Sequence, residues 1–196
     1  YGVSFAYQNL KNDVLGNNYS LYGHYNFYFL KRNLMFRIGQ GLAFTTNPYD
    51  RETNYRNNAF GSKIMSATYV MLNYKKEHIF DRFGLQAGFS LLHYSNANVK
   101  APNTSINSVT LNIGVTYNLD EKEPEYIVLD SSEIHKKFKE PIKYNIVFRS
   151  GVNESDVVGS GQFPFYILSA YADKRWSHKS AFRSGNCSQL PFQPKF

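Results

Sequence analysis

His93 and Ser95 place a base and a hydroxyl two residues apart in the stretch His93-Tyr94-Ser95-Asn96-Ala97. On an extended strand, residues two apart point to the same side, so an imidazole and a hydroxyl would share one surface. A serine becomes a nucleophile when such a base takes its proton. The imidazole in turn needs a third group to hold its tautomer, and a tetrahedral oxyanion needs N–H donors. Asn96, Asn98 and Asn103 follow in the adjacent segment and can supply them. The spacing alone favours a polar strand end, so the surroundings decide.

The residues before the pair alternate. Phe83, Leu85, Ala87, Phe89 and Leu91 share one parity, and Gly84, Gln86, Gly88 and Ser90 share the other. Period two with one apolar face predicts a β-strand over 83–95, with His93 and Ser95 continuing its apolar face. Similar alternation predicts strands over 1–8, 19–29, 34–44, 61–74 and 106–119. Leu34, Phe36, Ile38, Leu42 and Phe44 face one way, and Arg37, Gly39, Gly41 and Ala43 the other. A small and polar second face suits a barrel whose interior holds a polar network. His24 carries the polar parity of its strand and is expected in that network. His78, His135 and His178 are expected in solvated, charged turns.

Composition points the same way. The 196 residues are 42% hydrophobic, 19% charged and 17% aromatic, with sixteen Tyr and sixteen Phe. Tyr suits places where one end of a side chain is apolar and the other wet, such as a membrane interface. The net charge of +7 attracts anionic partners, and the aromatic excess favours lipid head groups over nucleic acid. Cys187 is the one cysteine, so no disulfide framework forms. No apolar run approaches the roughly 20 residues of a membrane helix, so a membrane-spanning form must be a barrel. The chain opens at Tyr1 in mid-strand and reads as a fragment or mature segment. The alternative from composition is a soluble β-sandwich with a tyrosine-rich surface.

The loops sort by length. Segments 11–18, 45–60 and 96–105 collect at one end, and the shorter 31–33 and 75–82 at the other. Long loops at one end and short turns at the other describe an outer-membrane barrel with the long loops extracellular. Residues 120–141 break the pattern and read as a linker, with 131–140 a candidate short helix. Strands resume within 142–185. At an offset of 143, Tyr1, Phe5, Asp13, Val14, Gly16, Tyr28, Lys31 and Arg32 match Tyr144, Phe148, Asp156, Val157, Gly159, Tyr171, Lys174 and Arg175, and after a short insertion Phe36-Arg37-Ile38-Gly39 is similar to Phe182-Arg183-Ser184-Gly185. This part reads as a partial second repeat, followed by an irregular tail over 186–196.

With Pro102-Asn103 and a strand after it, the stretch His93-Tyr94-Ser95-Asn96-Ala97 resembles the PagL-type lipid A 3-O-deacylases. The resemblance is specific over 93–119 and general over the strands before it. It implies an all-β, antiparallel transmembrane β-barrel of about eight strands, here incomplete at its N-terminus, in the bacterial outer membrane. It implies an enzyme that removes an ester-linked acyl chain from lipid A or a similar outer-leaflet glycolipid; no metal spacing, phosphate-binding glycine loop or nucleotide fingerprint appears in the sequence, so no metal or cofactor is expected. Ser95 would be the nucleophile and His93 the base, with Asn96 and Asn103 at positions associated with the oxyanion hole.

The family's third triad member is a Glu twelve residues after the nucleophile, and that position is Asn107. By parity Asn107 shares the face of Val109 and Leu111 and points to the same site. An amide oxygen can hold the imidazole tautomer but cannot stabilise the imidazolium by charge. Asp50 and Glu52, in a loop at the same end, are candidates for a substitute acid. Ser105 stands where the family often has Gly. A non-catalytic lipid-binding or structural barrel that has lost the triad acid is the competing function.

Overall fold

A computed structural model of the chain describes residues 1–119, 140–175 and 181–190. All described secondary structure is β. Most of the expected linker, the candidate helix over 131–140 save its last residue, His135, His178 and residues 191–196 lie outside the described residues.

Six strands form one sheet in sequence order: β1 (Gly2–Asn9), β2 (Asn17–Phe29), β3 (Leu34–Thr45), β4 (Ile64–Phe80), β5 (Phe83–Ser95) and β6 (Ile106–Tyr117). Every neighbour pairs antiparallel. The sheet is curled into a half-barrel. On its inner side Gln8 Nε2 of β1 donates to Ser108 Oγ of β6 over 3.1 Å, so side chains of the two edge strands meet. The connections 10–16, 46–63 and 96–105 lie at one end, and the tight 30–33 and 81–82 at the other.

The two faces of this sheet are inverted relative to a soluble protein. Leu111 and Ile113 are 90% and 91% exposed, while Tyr22 and Tyr94 on the other face are 1% and 0% exposed. The apolar parity read from the sequence is therefore the outer face, as in a barrel wall turned toward lipid. The inner face is polar and hydrogen-bonded. Ser90 Oγ donates to Asn112 Oδ1, Asn112 Nδ2 to Asn73 Oδ1, and Asn73 Nδ2 to Gln86 Oε1. His24 belongs to this interior, with Nδ1 2.5 Å from Ser4 Oγ, which also meets the Tyr69 hydroxyl. Among the described residues, buried apolar side chains cluster toward the long-loop end around Tyr22, Phe60, Met65, Tyr69 and Tyr94.

β4 runs to Phe80, well past the expected boundary at 74. Charge alone does not make a turn there. Pairing with β5 continues through Lys76 opposite Leu85, the register shifts, and Phe80 pairs with Phe83. Lys75 forms an ion pair with Glu77, and its N–H donates to Asn33 O across the turn end. The reversal itself is carried by Asp81, whose φ is 51°.

A second sheet holds β7 (Lys143–Glu154), β8 (Gln162–Arg175) and β9 (Ala181–Leu190) in that order. Of the residues matched at an offset of 143, Phe5 and Phe148 fall on β1 and β7 and Tyr28 and Tyr171 on β2 and β8, while Asp13, Val14 and Gly16 and their matches Asp156, Val157 and Gly159 fall in the connecting loops; Lys31 and Arg32 sit in a turn while Lys174 and Arg175 still belong to β8. The expected irregular tail is corrected over its first five residues: 186–190 continue β9. The sequence there lacks alternation, but backbone pairing with β8, from Ala170 opposite Asn186 to Tyr166 opposite Leu190, supplies the strand's hydrogen bonds. The first compact unit comprises the six-stranded sheet together with residues 154–162, and the remaining residues of the second sheet form another.

Candidate active site

Tyr94 fixes the outward pointing of its neighbours. Its ring is fully buried, and its hydroxyl lies 3.4 Å from those of Ser20 and Tyr22. Strand alternation then turns His93 and Ser95 to the outer face, in line with the exposed Phe89 and Leu91.

β5 and β6 bring His93 directly opposite Asn107. His93 Nδ1 lies 2.7 Å from Asn107 Oδ1. An amide oxygen only accepts, so Nδ1 carries the proton and Nε2 is left as the basic nitrogen. Asn107 thus puts an acceptor on Nδ1, where an orienting group of a Ser–His site would stand. Asp50, considered as a substitute acid, is committed to its own loop. Its Oδ1 accepts from the Thr53 N–H and hydroxyl and from the Glu52 N–H. These bonds, those of Thr53 foremost, hold its carboxyl below the usual carboxylate range.

Ser95 meets Asn103. Asn103 Nδ2 donates to Ser95 Oγ over 2.9 Å, and the Ala97 N–H donates to the same oxygen over 3.1 Å. Asn103 Oδ1 accepts the Asn96 N–H at 3.0 Å. The Asn96 side chain is buried and donates to Lys100 O over 2.6 Å, so it ties the loop together rather than reaching the outer face. His93 and Ser95 share a face, but their hydrogen bonds run to Asn107 and to Asn103 and Ala97, not to one another. Catalytic hydrogen bonds often tighten only around substrate.

The 96–105 loop is held from two sides. Ala97, Asn98 and Ser105 have φ of 55°, 56° and 60°. From the β3–β4 loop, Gly61 comes so close that a Cβ there would lie 2.5 Å from Lys100 O, and the Thr104 N–H donates to Asn58 O. From residues 154–162, the Glu154 carboxylate accepts the Ala101 N–H at 2.7 Å and the Gly159 N–H at 2.9 Å. The Glu154 N–H donates to Asn98 O, and Gln162 Nε2 to Val99 O.

Three outer-face residues of β3 and β4 escaped the sequence reading. Gln40 stands opposite Thr68, Thr68 opposite His93, and His93 opposite Asn107, so one polar row crosses four strands. Ser66 stands opposite Ser95 on the loop side of that row. Gln40 Nε2 donates to Ser66 Oγ over 2.8 Å, and Thr68 Oγ1 to Gln40 Oε1 over 2.5 Å. The available signal was a polar break in otherwise apolar parities: Gln40 between Ile38 and Leu42, and Ser66 and Thr68 between Ile64 and Val70.

The arrangement has an orienting acceptor on an imidazole, a hydroxyl beside amide and backbone donors, and an apolar outer wall. Those are the parts of an acyl-transfer site open to lipid. The family model described as Lipid A 3-O-deacylase (PagL) matches residues 1–116. No curated protein and no solved structure matches the chain.

Proposed function

The chain belongs to the lipid A 3-O-deacylase (PagL) family, and from that premise we propose that it is an outer-membrane serine esterase that removes an ester-linked acyl chain from lipid A or a similar glycolipid. The observation that carries the reading is the pairing of His93 with Asn107 at 2.7 Å and of Ser95 with Asn103 at 2.9 Å on an exposed apolar face.

Ser95 Oγ attacks the ester carbonyl while His93 Nε2 takes its proton. Asn107 Oδ1 holds the Nδ1–H and keeps the ring oriented. Negative charge gathers on the former carbonyl oxygen, where Asn103 Nδ2 and backbone N–H groups of the loop are the donors at hand. Asn96 serves by holding that loop. Collapse breaks the bond to the sugar oxygen, which leaves with the proton from His93. Water, deprotonated by His93, then releases the fatty acid from Ser95. Phe83, Leu85, Phe89 and Leu91 give the acyl chain an apolar wall, and the cations Lys11, Arg51, Arg56 and Lys100 in the long loops attract lipid phosphates.

Deacylation of purified lipid A by the wild type and by Ser95→Ala tests the mechanism. Free fatty acid from the wild type alone is expected, and equal release from both proteins would sink it. The second reading is a non-catalytic lipid-binding barrel, favoured by one observation: Asn107 brings no charge to the imidazolium. It predicts lipid A binding without turnover in either protein.

A further inference from the structure

Polar side chains on a lipid-facing surface are costly unless something satisfies them. Gln40 is exposed, and Ser66 and Thr68 are half-buried, on the same outer face as Ile38, Leu42 and Ile64. Their mutual bonds use one Gln40 N–H and the Thr68 hydroxyl hydrogen. The second Gln40 N–H and the Ser66 hydroxyl hydrogen remain to be given, and Thr68 Oγ1 remains to accept. No lysine or arginine lies in the row, so it suits a neutral polar ligand rather than a phosphate. Next along the row from Gln40 stands Gly23, where a Cβ would meet open space, so the wall is recessed there. On the loop side, an apolar groove of about 290 Å³ is lined by Phe5, Leu21, Leu42, Phe44 and Ile64. Leu42 and Ser66 are cross-strand neighbours, and Ser66 faces Ser95, so the groove runs in line with the nucleophile.

We propose that Gln40, Ser66 and Thr68 form a binding subsite for the uncharged hydroxyl and amide groups of an acylated sugar, with the adjacent groove taking an acyl chain. The subsite holds the sugar beside Ser95 while the chain lies in the wall. It rests on the reading of lipid A as substrate, and extends that reading by assigning residues to recognition.

The test measures binding of lipid A, and separately of phosphatidylethanolamine, to the full chain in detergent. It compares Ser95→Ala with Ser95→Ala carrying Gln40→Leu and Thr68→Val. Loss of two neutral hydrogen bonds should weaken lipid A binding about tenfold and leave the phospholipid within about twofold. Both substitutions add apolar surface to a lipid-facing wall, so folding should survive, which heat-modifiable migration verifies. Gln40→Met alone, with its length kept, gives a milder reading of the same loss. Unchanged lipid A affinity overturns the subsite, as does equal loss for both lipids or no lipid A binding by Ser95→Ala. Selective loss of lipid A binding with a wild type that hydrolyses nothing supports the subsite and removes the esterase.

Discussion

His93 and Asn107 stand directly opposite across β5 and β6, with the imidazole Nδ1 2.7 Å from the amide oxygen. In the proposed triad the acid's place is therefore taken by a group that orients without charge. A hydrogen bond to a charged partner is worth roughly 1.5–3 kcal/mol, against about 0.5–1.5 for a neutral one. The mid-range difference of about 1.2 kcal/mol is a factor approaching ten. Asn107→Glu should accordingly raise kcat on lipid A by about tenfold. A fall in kcat with folding intact would mean that the amide is already the right partner.

Asn103 touches both Ser95, the proposed nucleophile, and the backbone beside it. Its Nδ2 donates to Ser95 Oγ and to Asn98 Oδ1, and its Oδ1 accepts the Asn96 N–H. Asn103→Asp keeps the acceptor and removes the donors, so it separates loop support from oxyanion donation. Loss of one such donor typically costs about 10²–10³ in kcat. Asn103→Asp should lose about that much with KM little changed. Wild-type kcat in this variant would remove Asn103 from the oxyanion hole.

Ser105 holds the left-handed φ of 60° at the exit of the loop, the conformation that a glycine there would adopt freely. Left-handed backbone costs a non-glycine residue about 1–2 kcal/mol, and glycine loses about 0.5–1 kcal/mol in conformational entropy. The balance favours Ser105→Gly by about half a kcal/mol. Denaturant unfolding in detergent should show a small gain for Ser105→Gly and a clear loss for Ser105→Val. A loss for Gly would show that the hydroxyl has a role of its own.

Tyr94 separates His93 from Ser95 and points the opposite way into the interior. Its hydroxyl contacts, at 3.4 Å, are long for O–H hydrogen bonds, so packing should outweigh them. Tyr94→Phe should cost less than about 1 kcal/mol. Tyr94→Ala should cost about 3–5 kcal/mol, as large aromatic truncations in cores do, and lower activity as well. Equal costs for the two would place the stabilisation in the hydroxyl.

Strand parity was legible from the sequence because a barrel wall repeats one two-residue rule, and β5 from Phe83 to Ser95 shows it without a break. The row from Gln40 through Thr68 and His93 to Asn107 was not legible. Each polar break is visible alone, but their alignment depends on three registers set by separate hairpins. The 75–82 segment misled for a related reason: its charges pair along β4 and leave the turn to Asp81 and Arg82. Glu154 had no local signal, since its contact with Ala101 spans 53 residues.

That distant carboxylate carries the last prediction. Glu154 is only 8% exposed, and the Ala101 N–H, before that of Gly159, holds its carboxyl below the usual Glu range. A carboxyl whose folded value is depressed contributes stability above its unfolded value, near 4.3, and loses it as pH falls through the folded value. The clamp on the 96–105 loop should therefore be complete at neutral pH and open only in acid. Amide hydrogen exchange should show Ala101 protected throughout the neutral range and released only in acid, below the ordinary Glu range. Glu154→Ala should release it at every pH, with the strand amides of β2 to β5 unchanged. Glu154→Gln, which keeps one acceptor for two N–H donors, should fall between. If Ala101 stays protected in Glu154→Ala, the contacts of Gly61 and Asn58 hold the loop without the carboxylate.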